Sequence, residues 1–182
     1  MNIFYIDSSP ELCAKWSVDK HCVKMILEAA QLLSTAHRLI DGVEYTGKTK
    51  TGRNVKRWLL PDDRETKLYS ATHVNHPCAV WARQSNNNYH WLWCYLYEHC
   101  LEYTRRYGKT HKIVEDGLLD ELRTPPHNIP IAHRTEPPSA MDAKYIISEN
   151  VIANYRNYYK VGKAHLHSWK KPATPPHWIM EN

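Results

Sequence analysis

The segment from Asp19 to Ile40 constrains this chain more than any other. Its apolar residues Cys22, Val23, Met25, Ile26, Ala29, Ala30, Leu32, Leu33 and Ala36 recur at helical spacing. At about 100° per residue they cover all but a narrow wedge of the cylinder, so such a helix must be surrounded by other elements. Asp19 reads as its N-cap and Gly42 as its stop. The remaining wedge carries His21, Lys24, Glu28, Gln31, Thr35 and Arg38 in one row. A row this narrow is either the solvent face of a deeply packed helix or one wall of a cleft. Solvent faces are usually filled with interchangeable Lys and Glu, whereas this row holds groups able to transfer protons and orient a ligand. His37 falls on the apolar side, where a hydrogen-bonded core histidine is commoner than a catalytic one.

The flanking sequence extends the helical pattern. Asn2 to Ile6 reads as a short extended strand, and Ser9-Pro10-Glu11 supplies the cap, proline and acid of a helix start. Residues 43–60 turn polar and basic around Gly47 and Gly52, which predicts a loose β ribbon. Pro77 opens a further helical stretch that restarts after Ser85 as a long aromatic helix ending at Tyr107-Gly108. A short helix is expected over Lys112 to Leu122, and one final helix from Ser148 to Trp169. Between them, the prolines of residues 123–147 exclude regular structure. The fold class is therefore mainly α: a single domain over residues 1–182, a bundle of four to five helices with a short N-terminal extended segment, a small β ribbon and a tail over 170–182.

Composition narrows the function. With 42% hydrophobic and 24% charged residues the chain of 182 is an ordinary globular one. No run approaches the roughly 18 apolar residues of a membrane span, and the start lacks the marks of a signal peptide, so a cytoplasmic protein without a membrane partner is expected. Five cysteines without a C-x-x-C pair suggest buried thiols rather than disulfides or a zinc ribbon. The net charge of +5 suits an anionic partner. Seven Trp and twelve Tyr stand against one Phe, so nearly every ring carries a polar tip fit for pockets or base stacking, or for a core that happens to use such rings.

Several constellations carry possible chemistry. Asn75-His76-Pro77 precedes a helix start and could meet an anion or a base edge, or merely cap the helix. His21, His76 and Glu28 are the residues from which a metal site would be assembled, but no metal-binding spacing occurs and no metal or cofactor is expected. Near the C-terminus, Tyr155, Arg156, Tyr158, Tyr159, Lys160 and Lys163 interleave rings with cations, a mixture suited to nucleic acid. Arg105, Arg106, Lys109 and Lys112 form a second basic cluster, and Lys48, Lys50, Arg53, Lys56 and Arg57 a third. Walker, Rossmann, nucleophile-elbow and zinc-deaminase motifs are missing.

Residues spread over nearly the whole chain resemble a family of uncharacterised tailed-phage proteins, cyanophage ones included. They are Met1-Asn2-Ile3-Phe4, Asp19-Lys20-His21, Lys24-Met25, Glu28, Gln31, Ser34-Thr35-Ala36-His37-Arg38, Asn75-His76-Pro77, Tyr107-Gly108-Lys109 and Tyr155-Arg156-Asn157-Tyr158-Tyr159. The chain also resembles, more weakly, the phage pyrimidine-dimer DNA glycosylases of the endonuclease V type, small all-α proteins with a glutamate on an early helix and an aromatic-basic tail. That resemblance implies a DNA partner, the host cytoplasm, a catalytic role for Glu28 and a binding role for Tyr155 to Lys163. It leaves three nucleophiles open: the Met1 amine, Lys24 or activated water. Breaking a glycosidic bond develops a cationic sugar, which Glu28 can stabilise while His21 or His76 protonates the departing base. Gln31, Thr35 or Asn75 would contact the base, and Arg156, Lys160 and Lys163 the phosphates. Modification of a free nucleotide or base, and binding of nucleic acid or nucleotide without catalysis, are the alternatives.

Overall fold

The structure, a computed structural model, describes residues 1–180; positions 181 and 182 of the expected tail lie outside the described residues. It is mainly α with one two-stranded sheet. Its frame is α1 (Pro10–Trp16), α2 (Asp19–Asp41) and α5 (Asn86–Tyr107), with α4 (Pro77–Ala82) preceding α5. Strands β1 (Val43–Lys48) and β2 (Asn54–Leu59) pair antiparallel, with Val43 opposite Leu59 and Lys48 opposite Asn54. The remaining helices are single turns or little more: α3 (Arg64–Lys67), α6 (Lys112–Glu115), α7 (Leu118–Glu121), α8 (Val151–Asn157) and α9 (His177–Met180).

The α2 and α5 helices run antiparallel. Tyr107 near the end of α5 donates to the Asp19 carbonyl at the start of α2, while Tyr89 near the start of α5 pairs with His37 near the end of α2. Between them lie Met25, Ile26, Ala29, Leu32, Leu33, Leu92, Tyr95 and Leu96, all essentially inaccessible. Most of the polar row of α2 is turned away from solvent, although the Lys24 side chain is 66% exposed. His21, Glu28, Thr35 and Arg38 are each less than 9% exposed, whereas Val23 and Leu27 are 41% and 43% exposed. Periodicity locates a distinct face on a helix, but not whether that face looks outward or into a polar interior.

The row divides into two parts. Its C-terminal half is structural: the Arg38 guanidinium donates to the carbonyls of Tyr69, Trp58, Glu65 and Leu68 and to the Glu65 carboxylate. Thr35 exchanges hydrogen bonds with Thr72. These contacts pin the base of the ribbon and the 65–72 loop. The N-terminal half lies at the start of α2, which a second arginine holds in place. Arg106 donates to Glu102 and Asp19 and to the carbonyls of Ser17 and Lys15, with none of its side chain exposed. Asp19 in turn accepts from the Ser168 hydroxyl and the Lys170 amide.

Four elements depart from the sequence reading. Asp19 is the first helical residue rather than the cap, because its carboxylate is taken up by Arg106 and the 168–170 segment. The N-terminal segment is extended but pairs with no strand. The Asn2 carboxamide oxygen accepts from the Ile3 and Phe4 amides, and Phe4 adopts φ 49°, which a strand cannot accommodate. Gly117, at φ 74°, splits the helix expected over 112–122. The expected C-terminal helix starts at Val151, capped by Asn150, and stops at Asn157; a single π turn follows from Tyr158 to Gly162. Gly162 permits that turn, since a β-carbon there would lie 2.6 Å from the Tyr158 ring and 2.7 Å from that of Tyr145.

Polar tips of the aromatic side chains bond mostly inward. Trp91, Trp93 and Trp169 donate to backbone carbonyls, as do Tyr89 and Tyr155. The Asn86-Asn87-Asn88 run fastens the proline-rich stretch to α5, meeting Pro130, Ala132 and Thr135.

Removing a guanidinium from a buried ion pair leaves the partner charge uncompensated. Arg106→Ala should therefore cost about 3–5 kcal/mol in urea unfolding, whereas exposed Lys109→Ala should stay within about 0.5 kcal/mol of wild type.

Candidate active site

The start of α2, the N-terminal segment and the turn after α8 enclose a cleft of about 440 Å³. It is lined by Met1, Asn2, Phe4, Lys20, His21, Lys24, Glu28, Ala140, Tyr158, Lys163 and Leu166. Glu28 forms its floor. One carboxylate oxygen accepts from the Asn2 amide at 2.9 Å and lies 4.0 Å from the Met1 amine; the other is 3.0 Å from Lys24 Nζ. The i, i+4 spacing on α2 sets the last contact, and the chain start is held separately by Asn2 Nδ2 donating to the Ala140 carbonyl. With Lys20 and Lys163 added, four cations face one carboxylate, so the cleft favours an anion.

An aromatic ladder forms one wall. The His21 ring stacks on Phe4 at 4.1 Å, Phe4 lies nearly parallel to Tyr158 at 6.0 Å, and Tyr158 meets Tyr145 at 4.7 Å. Lys163 sits over Tyr158 at 4.8 Å and over Phe4 at 5.9 Å, where the rings attract its charge. Phe4 reaches this position only through its left-handed backbone.

The protonation of His21 follows from its partners. The Tyr159 hydroxyl accepts from the Val18 amide at 2.9 Å, so its own proton points to His21 Nδ1, also at 2.9 Å. The imidazole consequently accepts at Nδ1 and carries its proton on Nε2. Burial, aided by the charges of Lys163 and Lys24, pushes its pKa down to about 3. At neutral pH His21 is thus a hydrogen-bond donor and not a cationic acid. His76 is lowered as well, by burial and then by the Met1 amine, and its Nδ1 accepts from the Cys78 amide as a helix cap.

The cleft gathers some of the residues expected from sequence and leaves others elsewhere. Glu28, Lys24, His21, Met1, Tyr158 and Lys163 all line it. Asn75 lines a separate groove of about 620 Å³ beside Trp81 and Pro138. Gln31 is half-buried and Lys160 lies outside the cleft lining. Thr35, Tyr155 and Tyr159 are core residues whose hydroxyls bond within the protein. Arg156 is half-buried and engaged within the chain, donating to the Ile6 carbonyl and Asp7 and packed between Trp16 and Trp178. Among the described residues no group of three or more His, Cys, Asp or Glu side chains is placed to hold a metal ion, and no helix is long and apolar enough to cross a membrane.

Sequence reasoning missed Lys20, Asn2, Phe4 and the Ala140 carbonyl as cleft residues. The single Phe in a chain rich in Tyr and Trp was the one available signal, a ring with no polar tip to satisfy. Comparison with protein-family models, curated proteins and solved structures returned no match.

Because His21 is depressed in the folded state, the unfolded chain binds its proton first as pH falls. The stability from neutral His21 is complete above its ordinary value of 6.5 and is lost as pH drops toward about 3. His37 and His99, each pushed down to about 4 by burial, act in the same direction. Unfolding free energy should therefore decline steadily through this acid window, and histidine ¹⁵N spectra should show His21 as the neutral Nε2–H tautomer at pH 5. An imidazolium signal for His21 at that pH would overturn the assignment.

Proposed function

We propose that the cleft is the active site of a DNA-base-processing enzyme, a glycosylase with lyase capacity acting on a nucleotide extruded from the duplex. The observation that carries the reading is Glu28, a nearly buried carboxylate with two primary amines within 4.0 Å in a cationic cleft. A carboxylate beside amines serves both halves of glycosidic cleavage, accepting the proton that a nucleophilic nitrogen sheds and stabilising positive charge as it grows on the sugar. The cleft volume falls within the roughly 300–1,000 Å³ of small-ligand sites.

An amine nitrogen bonds to the sugar C1′ as the C1′–N bond to the base breaks, and that electron pair leaves with the base, which takes a proton from solvent. Glu28 receives the proton released by the nitrogen. The C1′–O4′ bond then breaks as O4′ takes the proton back from Glu28, giving an iminium between C1′ and the amine; water hydrolyses it, or Glu28 removes a C2′ proton and the C3′–O bond breaks, the 3′ phosphate leaving with that electron pair. His21 Nε2–H, held in its tautomer by Tyr159, donates to an oxygen of the base or sugar. Phe4 and Tyr158 present faces for the extruded base, while Lys20 and Lys163 meet its phosphates. The resemblance to the endonuclease V-type glycosylases supports the same assignment for Glu28, and work on phage or host DNA would place the protein in the host cytoplasm.

Incubation with labelled duplexes, one normal and one carrying a thymine cyclobutane dimer, with borohydride present, tests the reading directly. A lesion-dependent nick or reduced covalent adduct is expected, and peptide mapping of the adduct will distinguish Lys24 from the Met1 amine. Glu28→Gln should lower the rate by roughly a hundredfold or more and leave duplex binding unchanged. Intact DNA without adduct would remove the glycosylase reading in favour of nucleotide modification or binding.

A further inference from the structure

The β1–β2 ribbon lies outside the cleft chemistry and carries a basic cluster of its own, Lys48, Lys50, Arg53, Lys56 and Arg57. Several cations of the other clusters pair with carboxylates of the chain. Arg106 and Arg105 pair with Glu102 at 2.5 and 2.6 Å, Lys112 with Asp116 at 2.7 Å, Lys67 with Asp63 and Glu121, and Arg156 with Asp7 at 3.0 Å. On the ribbon only Lys56 meets a carboxylate, that of Glu44 at 2.9 Å, and Lys48 donates to Asn54. Lys50, Arg53 and Arg57 have no acidic partner among the described residues.

From its placement, we infer that the ribbon is an arm that enters the major groove of double-stranded DNA and binds the phosphates on either side. The pairing register distributes its cations around the rod. Lys48 and Lys56 share one face, Arg57 is on the other beside Tyr45, and Lys50 and Arg53 sit at the tip. A flat anionic membrane would favour cations on a single face and apolar groups at the tip, whereas the tip here is Thr49-Lys50-Thr51-Gly52-Arg53. A major groove offers a phosphate wall to each side and admits a two-stranded ribbon. Strands of six residues span about 20 Å, more than the roughly 8.5 Å depth of that groove.

The arm is also braced rather than loose. Arg38 holds the Trp58 carbonyl at 2.9 Å, and Gly42 brings the end of α2 so close to β2 that a β-carbon there would meet the Leu59 carbonyl and the Trp58 β-carbon, each at 3.2 Å. Glu28 lies about 21 Å from the ribbon base along α2, at 1.5 Å per residue, a separation that one bound duplex can bridge. The inference rests on the proposed function only in taking DNA as the partner.

Fluorescence anisotropy with a short undamaged duplex tests it, comparing the wild type with K50Q/R53Q/R57Q and with K15Q/K109Q/K171Q, which removes equal charge elsewhere. Between about 50 and 200 mM salt the ribbon variant should bind roughly tenfold or more weakly, with its log–log salt slope less negative by about 2 to 3, while the control keeps the wild-type slope. Equal losses in the two variants, or none in the ribbon variant, overturn the arm. So does a ribbon variant that loses binding to phosphatidylserine vesicles but not to the duplex. Borohydride trapping on the same samples keeps the two readings apart. Ribbon-dependent binding without an adduct removes the glycosylase and keeps the arm, and an adduct with ribbon-independent binding does the reverse.

Discussion

The rest of the molecule depends on a single buried guanidinium. Arg106, with no exposed side-chain surface, ties the end of α5 to the carbonyls that close α1 and to the carboxylate that opens α2. Through Asp19 it also holds the 168–170 segment. Charge placed there is expensive to desolvate, so the arrangement holds only with its acceptors in position. The first turn of α2 is thereby fixed in direction, and with it His21, Lys24 and Glu28. Arg38 has the corresponding role at the other end of α2, closing five acceptors around the base of the ribbon.

What the sequence made legible follows from local rules. The long helices were readable because α2 has a strong apolar period and α5 ends on a glycine with φ 64°. The Ser9 cap and the helix restart after Ser85 were readable too, the two side chains accepting from the Leu12 and Asn88 amides. Non-local competition defeated the rest. Tyr155 to Lys163 looks in sequence like one helical surface of interleaved rings and cations, but Tyr159 turns inward to Val18 and His21 while Tyr158 stays on the cleft. Arg156 looks like a phosphate ligand until the carbonyl of Ile6 claims it from the other end of the chain. No spacing rule foresees a partner some 150 residues away.

The same logic explains how the cleft came to hold unlike groups. Glu28, His21 and Lys24 share a helix face, which periodicity supplies, whereas Met1, Phe4 and Lys163 arrive from opposite chain ends, which only the core decides. Tyr159 illustrates the coupling between the two. Its ring belongs to the core, its oxygen receives the amide that precedes α2, and its proton sets the tautomer of His21. A residue with no surface of its own therefore determines which atom the cleft offers to a ligand.

Phe4 places two demands in opposition. At φ 49° its backbone occupies a region that bulky side chains tolerate at a cost of about 1–2 kcal/mol, and glycine or asparagine would sit there more comfortably. Neither could stack on His21 or support Lys163. Selection for robustness alone would drift this position toward a smaller residue, and selection for an intact cleft would hold the ring. A library screened first for thermal tolerance and then for ligand retention would thus sort oppositely at position 4, marking where the protein has given up stability for the shape of its site.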